Sequence, residues 1–476
     1  MMDRASDDAT TLVIFGGTGD LAEKKLLPAL FHLHKKMYLP EEFRILSVSH
    51  DDHTIDSYRK FVADSIGERM HSHTDKELAA FVEIVDYVEG SFENDALYSS
   101  LAERLEALDD SSFEACANKL FYLAVPPNRY ELIFERLAAS GLTIPCGGEE
   151  GWTRVLVEKP FGRDLTTAQV LDKQLGELFR EEQIFRIDHY LAKETVQNII
   201  TFRFANALFE PVWNAKSIAH VHILVSEDGG VGERGSFYED LGALRDVGQN
   251  HLLQMLALVA MEDPGKLDSG LLRSARAAVL EDLKPTTKHD IKQHVVRGQY
   301  DGYRDIDDVA DTSGIETFFR ITAFIDNKRW GGVPFTLESG KKLSERKAEI
   351  TITFKEPISC VCPIEDDHEH RNVLRIQIQP DESISLLFWA KKPGLTYELE
   401  PRELSFSYQE SEADTALSDA YEKVLYDCIR GDHTLFASTE EVAASWRFIT
   451  PILDHWGITK LLPYRPGTAA SDIKQI

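Results

Sequence analysis

The first apolar, β-branched run of the chain, Thr11-Leu12-Val13-Ile14-Phe15, stops at Gly16-Gly17-Thr18-Gly19-Asp20-Leu21. A helical pattern of Leu26, Leu27, Leu30, Phe31 and Leu33 opens directly after it. Strand, glycine turn and helix in that order make the first unit of a nucleotide-binding βαβ fold, because glycines let the backbone approach a pyrophosphate at a helix start. The spacing is G-G-x-G rather than G-x-G-x-x-G, so the turn alone also suits a plain strand-to-helix connection. Its place on the first strand of a long, mixed α/β chain favours the nucleotide reading.

The next strand, Arg44 to Ser49, ends at His50-Asp51-Asp52. In such folds an acid at this point accepts a hydrogen bond from the free ribose hydroxyl of NAD, whereas an Arg receives the 2′-phosphate of NADP. A His flanked by two acids argues against a strong NADP preference. Helical stretches are expected around Ser57 to Ile66, Lys76 to Val85 and Ala96 to Leu108. Buried strands are expected at Lys119 to Val125 and Trp152 to Val157, the latter running into Glu158-Lys159-Pro160-Phe161-Gly162. Lys159, at a strand end facing a cofactor cleft, is a candidate contact for substrate or nicotinamide.

A helix from Leu165 to Phe179 leads to the short strand Gln183-Ile184-Phe185 and then to Arg186-Ile187-Asp188-His189-Tyr190-Leu191-Ala192-Lys193-Glu194. With a helix starting near Asp188, His189 and Lys193 stand four apart on one face, one turn from each other. That face is cationic and lies at a helix start, so an anion such as phosphate is its expected guest. Beyond it the period changes to two at Ile218 to Val225, Phe319 to Ile325, Glu349 to Phe354, Val373 to Gln379 and Ser383 to Trp389. These runs imply a large, largely antiparallel sheet. Among them Asp246 to Val259 is a strongly apolar helix carrying His251, read either as a satisfied core histidine or as a desolvated imidazole ready to accept a proton. Helices close the chain at about Leu417 to Arg430 and Thr439 to His455.

At 476 residues the chain exceeds one core, so two domains follow, set at 1–187 and 188–476. The fold class is an α/β, Rossmann-like dinucleotide-binding domain plus an α+β C-terminal domain with a large, mainly antiparallel sheet. A net charge of −28 repels nucleic acid and anionic membrane, so neither is an expected partner. No run of eighteen apolar residues occurs and the first residues are acidic, which reads as a soluble, cytoplasmic protein. The five cysteines are few and scattered, as in reduced cytosolic chains. No metal site is expected: Cys360 and Cys362 lack a second pair, and the acidic segment 365–369 reads as a solvated loop.

The chain resembles the glucose-6-phosphate dehydrogenase family. The matching motifs are Gly16 to Ala22, Glu158 to Gly162, Arg186 to Glu194, Arg245-Asp246 with Gln249-Asn250-His251, and Trp330 to Phe335 with Gly340-Lys341. The resemblance implies His251 as general base for the C1 hydroxyl of glucose 6-phosphate, Asp188 as the carboxylate that orients it, and Lys159 near the reacting carbon and cofactor. It implies His189, Tyr190 and Lys193 as holders of the 6-phosphate, Glu227 and Asp246 as acceptors from sugar hydroxyls, and Lys341 and Arg346 as further substrate-side cations. Gly16, Gly17, Thr18, Gly19, Asp20, Leu21, Lys25 and His50 fall on the cofactor side. The product would be 6-phospho-D-glucono-1,5-lactone, in the first step of the oxidative pentose phosphate pathway.

The same resemblance implies a homodimer or homotetramer paired through the large sheet, and NADP as cofactor. His50, standing where NADP-preferring members often carry Arg, makes NAD or dual use an alternative. Ala192 replaces the family's usual Gly. A second, structural NADP of animal members is expected to be absent, because the corresponding positions are Glu338, Thr351 and Gln377, with Lys347 retained. The complete trio His189, Tyr190 and Lys193 argues against a free-sugar substrate, and joint retention of His251, Asp188 and Lys159 argues against a catalytically silent homologue.

Overall fold

A computed structural model describes residues 8–70, 72–109, 117–145, 151–232, 234–357, 370–408 and 420–474. The chain forms two compact units. The first comprises the described residues of Met1–Gly162, Thr166–Ala192 and Ser418–Thr439, and the second those of Arg163–Leu165, Lys193–Leu417 and Glu440–Ile476.

The first unit is built on β1 (Thr10–Phe15), β2 (Phe43–Ser49), β3 (Val85–Glu89), β4 (Asn118–Leu123), β5 (Thr153–Val157) and β6 (Ile184–Ile187). They lie parallel in the order β6-β5-β4-β1-β2-β3. That is the doubly wound dinucleotide order, with the chain reversing direction across the sheet between β1 and β4. Every residue of β1 and β4 is buried, as expected of strands covered on both faces.

The sequence placed the domain break at 187, whereas the compact unit runs on to Ala192 and takes in 418–439 from near the C-terminus. Side-chain chemistry explains the addition. Buried Arg186 holds Glu181 at 2.9 Å, Asp172 at 2.7 Å and the Thr439 hydroxyl at 2.8 Å. Arg154 donates to the carbonyls of Cys428 (2.7 Å) and Ile429 (2.6 Å). The two-residue strand Phe436–Ala437 adds antiparallel to β6. None of these pairings leaves a local signal in the sequence.

The second unit carries a nine-stranded sheet. After β7 (Ile218–Ser226), β8 (Val295–Tyr300), β9 (Phe318–Ala323), β10 (Phe335–Gly340), β11 (Lys347–Phe354), β12 (Val373–Gln379), β13 (Ser383–Lys391) and β14 (Leu399–Ser407), Phe436–Ala437 counts as β15 and the last strand is β16 (Leu461–Tyr464). The order is β14-β13-β12-β11-β7-β10-β9-β8-β16, antiparallel except for β7 with β10 and β8 with β16. The period-two runs fall on β7, β9, β11, β12 and β13. β8, β10, β14 and β16 were not foreseen; β8 and β10 end in three- and four-residue buried runs, and β14 is exposed over most of its length, so none shows the alternation of a half-buried strand.

The apolar helix on this unit begins with π-type turns, Leu244–Leu252, and continues as α-helix through Leu253–Ala260. It is buried along nearly its whole length. Gly248 is what lets it come so near the sheet: a Cβ there would sit 2.7 Å from the Phe319 ring. Among the described residues, no helix is long and apolar enough to cross a membrane.

Candidate active site

The glycine turn sits at the carboxyl end of β1, at the point where the strand order reverses. Gly16 has φ of +85°, and a Cβ on it would lie 2.5 Å from the Ala124 carbonyl oxygen, so only glycine fits. The N–H groups of Gly16 and Gly17 bond the Val48 carbonyl at 2.8 and 3.2 Å, and Gly19 N–H bonds the Gly16 carbonyl at 3.0 Å. The turn leads into a π-type turn, Ala22–Leu26, and then the helix Leu27–Lys35. A glycine cradle followed by the unpaired N–H groups of a helix start fits the pyrophosphate of a dinucleotide. Lys25 is exposed on that first turn, and exposed Asp20 is bonded by Lys24 at 2.8 Å. Gly16→Val is expected to abolish measurable NADH fluorescence enhancement, since the left-handed backbone alone costs about 1–2 kcal/mol and the side chain would strike the turn. Unchanged NADH binding would show that this turn is not the cofactor cradle.

At the end of β2 the predicted selector His50 is exposed, with Nε2 3.8 Å from Asp51 Oδ1. Asp51 is the more constrained residue. Its Oδ2 accepts from the hydroxyls of Thr18 and Ser49, the latter at 3.0 Å, and those two hydroxyls lie 2.7 Å apart. The Thr18 bond, above all, holds the Asp51 carboxyl below the ordinary carboxylate range.

Lys159 follows β5 and is half-buried. Its neighbour Glu158 accepts from the Tyr122 hydroxyl at 2.7 Å and from Tyr421, and burial pushes its carboxyl up. Sequence reasoning passed over Glu158 as a site residue and did not see Tyr421, whose ring also lies parallel to His189 at 6.3 Å between centroids. Tyr421 arrives from the C-terminal segment, so no local signal could have paired it with either.

Asp188, His189 and Tyr190 lie not on a helix but in a turn after β6. Asp188 Oδ1 accepts from Tyr190 N–H at 3.0 Å, and the Asp188 carbonyl accepts from Leu191 N–H at 3.0 Å. The expectation of a helix from Asp188, with His189 and Lys193 one turn apart, is therefore corrected: the helix is Glu194–Phe204, with Lys193 at its N-cap. Aspartate bonding its own following backbone favours a turn over helix propagation. The start of that helix is served by Glu382, which accepts from Thr195 N–H at 3.2 Å and Thr195 Oγ1 at 2.6 Å.

On the second unit Lys341, Glu227, Asp246 and His251 are gathered around the apolar helix. Buried Lys341 donates to both Glu227 oxygens at 2.9 Å and lies 3.8 Å from Asp246 Oδ2. His251 is 2% exposed. Its backbone N–H bonds Asn250 Oδ1 at 2.7 Å, while Asn250 Nδ2 donates to the carbonyls of Asp246 (3.1 Å) and Arg245 (3.2 Å). Asn250 thus ties the His251 backbone to the Asp246 turn. π-Type turns concentrate at functional sites, and here one underlies Asp246 and His251 while the other follows the glycine turn. Lys193 belongs to the same unit, and Arg346 stands exposed before β11. Among the described residues no group of three or more His, Cys, Asp or Glu side chains could hold a metal ion; Cys360, Cys362 and 365–369 lie outside those residues.

Comparison with known proteins covers both units. Residues 13–198 match the family described as glucose-6-phosphate dehydrogenase, NAD binding domain, and residues 200–475 match its C-terminal domain. The chain is 39% identical over 485 residues to glucose-6-phosphate 1-dehydrogenase of Chlamydia muridarum, spanning 97% of this chain and 93% of that one. It is 40% identical over 462 residues to the Bacillus subtilis protein of the same name, spanning 95% and 92%. A solved glucose-6-phosphate dehydrogenase in complex with its substrate glucose 6-phosphate superposes with a TM-score of 0.90 at 34% identity, over 98% of this chain and 96% of that chain. With both units matched from residue 13 to residue 475 and relatives alike over nearly their full length, the chain belongs to the glucose-6-phosphate dehydrogenase family.

Proposed function

We infer that this protein is a glucose-6-phosphate 1-dehydrogenase, oxidising C1 of D-glucose 6-phosphate to 6-phospho-D-glucono-1,5-lactone with NADP or NAD as acceptor. The observation that carries the reading is the constellation on the second unit: a desolvated His251 on the same helix as Asp246, with Lys341 bridging Asp246 and Glu227. In a chain of this family that is a base beside a set of hydroxyl acceptors.

When bound, the nicotinamide ring supplies the hydride acceptor. His251 takes the proton of the C1 hydroxyl as the C1–H bond breaks, and Asp188 stabilises the imidazolium that results. Glu227 and Asp246 accept from sugar hydroxyls, with Lys341 fixing both carboxylates. His189, Tyr190 and Lys193 serve the phosphate end, far from the reacting bond, so that their binding free energy goes into orientation of C1, and Arg346 is a further substrate-side cation. Lys159 is assigned to the reacting carbon and the nicotinamide, and Gly16, Gly17, Thr18, Gly19, Asp20, Leu21, Lys25 and His50 to the nucleotide.

The second structural NADP of animal relatives is absent in this reading. What supports this reading is Glu338, 3% exposed and paired with His222 at 2.8 Å and with Arg320, since a buried carboxylate disfavours an anion beside it. A homodimer or homotetramer paired through the nine-stranded sheet, in the cytoplasm, completes the proposal. Exposed Leu404 and Phe406 on β14 support that pairing.

The test is cofactor reduction with glucose 6-phosphate against free glucose at rising ionic strength. The KM for the phosphorylated sugar should climb several-fold as salt shortens the Debye length from about 10 Å to about 3 Å, while the weak activity on glucose barely responds. Equal salt response for both sugars would remove the phosphate site from this reading.

A further inference from the structure

We propose that Asp51, rather than His50, selects the cofactor, and that it makes the enzyme prefer NAD: its Oδ1 accepts the adenosine ribose hydroxyl and its charge repels a 2′-phosphate. The proposal deepens the dehydrogenase reading and rests on it for the identity of the cofactor site.

Asp51 is held by three hydroxyls, two on one carboxylate oxygen and one on its backbone carbonyl. Thr18, inside the glycine turn, and Ser49, at the end of β2, both donate to Oδ2, so the acid is tied to the same turn that fits the pyrophosphate. The Tyr87 hydroxyl donates to the Asp51 carbonyl at 2.5 Å, and its ring stacks on Tyr58 at 4.6 Å. Tyr58 in turn donates to the Gly17 carbonyl at 2.8 Å. Glycine turn and acid are therefore tied to each other through Thr18 and through the Tyr58–Tyr87 pair. Oδ1 accepts no hydrogen bond among the described residues, and the side chain keeps 45% of its surface exposed. An ionised carboxylate is only an acceptor, so a ribose hydroxyl is its matching donor.

Among the described residues, the groups around Asp51 are mostly acidic or already engaged. Burial, with the charges of Asp51, Glu89 and Asp52, pushes the Tyr87 hydroxyl up, so the surroundings are acidic. The guanidinium of Arg59 is turned to the carbonyls of Val85 and Glu83, and His53 is engaged with Ser57. His50 is exposed, and Asp51 already lies beside it. A 2′-phosphate placed here would meet a fixed negative charge at hydrogen-bond range, whereas two free ribose hydroxyls would meet an acceptor already in position.

The experiment uses the full chain without sugar. Fluorescence titrations with NADH and NADPH should give an NADH dissociation constant lower by about tenfold or more. kcat/KM with saturating glucose 6-phosphate should favour NAD in the same sense. Asp51→Ala should shift the binding ratio at least about tenfold towards NADPH, Asp51→Asn, which keeps the shape and loses the charge, should shift it the same way, and Asp51→Glu should keep the NAD preference. Tighter NADPH binding by the wild type, or an unchanged ratio in both Asp51→Ala and Asp51→Asn, would overturn the proposal. Failure of the dehydrogenase reading would show differently, as normal NADH binding with no sugar-dependent reduction of either cofactor.

Discussion

His251→Asn is expected to lower kcat by roughly a hundred- to ten-thousandfold, the usual contribution of a positioned general base, while leaving the dissociation constant for glucose 6-phosphate nearly unchanged. The size follows from burial. At 2% exposure the imidazole is shielded from bulk solvent, and its backbone N–H is held by Asn250. Asparagine keeps a polar, hydrogen-bonding side chain with no basic nitrogen, which helps separate loss of the base from collapse of the helix. Pre-steady-state and steady-state rates should fall together, since the missing step is the chemical one. A variant with wild-type kcat would take the role of base away from His251, whatever the behaviour of Asp188.

The largest stability effect is expected at Arg276 and Glu441. Both side chains have zero exposure, and Arg276 Nε lies 2.6 Å from Glu441 Oε1. The pair links the helix Ser269–Glu281 to the long helix Thr439–Asp454 within the second unit. Glu441→Ala should destabilise that unit by about 3–5 kcal/mol, because a guanidinium stays buried without its carboxylate. The measurement is the urea midpoint of the second unit at an unchanged slope. The double variant Arg276→Met, Glu441→Leu should recover much of the loss, since it removes the charge left behind as well as its partner. If the single and double variants fell equally, the cost would lie in packing volume rather than in the charge.

The architecture was legible from local patterns. β1, its glycine turn and the helix after it need only a β-branched run, a left-handed position and a 3.6-residue period, all properties of adjacent residues. The five period-two runs likewise reported one wet and one dry face, and they fall on five strands of the large sheet. β8, β10, β14 and β16 leave no alternation to read, because successive residues on their two faces are buried alike or exposed alike. The stretch Asp188 to Lys193 misled because i, i+4 spacing describes a helix only if the backbone is helical. Asp188 bonds the N–H of Tyr190 instead, and the helix waits until Glu194.

The sequence by itself determined the family, the two kinds of sheet and most of the chemistry-bearing side chains, since these reside in ordered motifs and local periodicity. Tertiary structure alone decided that 418–439 completes the first unit, that Tyr421 reaches both Glu158 and His189, and that Thr18 and Ser49 hold Asp51 ready at the end of β2. Each of these depends on a hydrogen bond or ring contact between segments far apart along the chain. Such contacts are set by how strands and helices pack, and packing has no period to read.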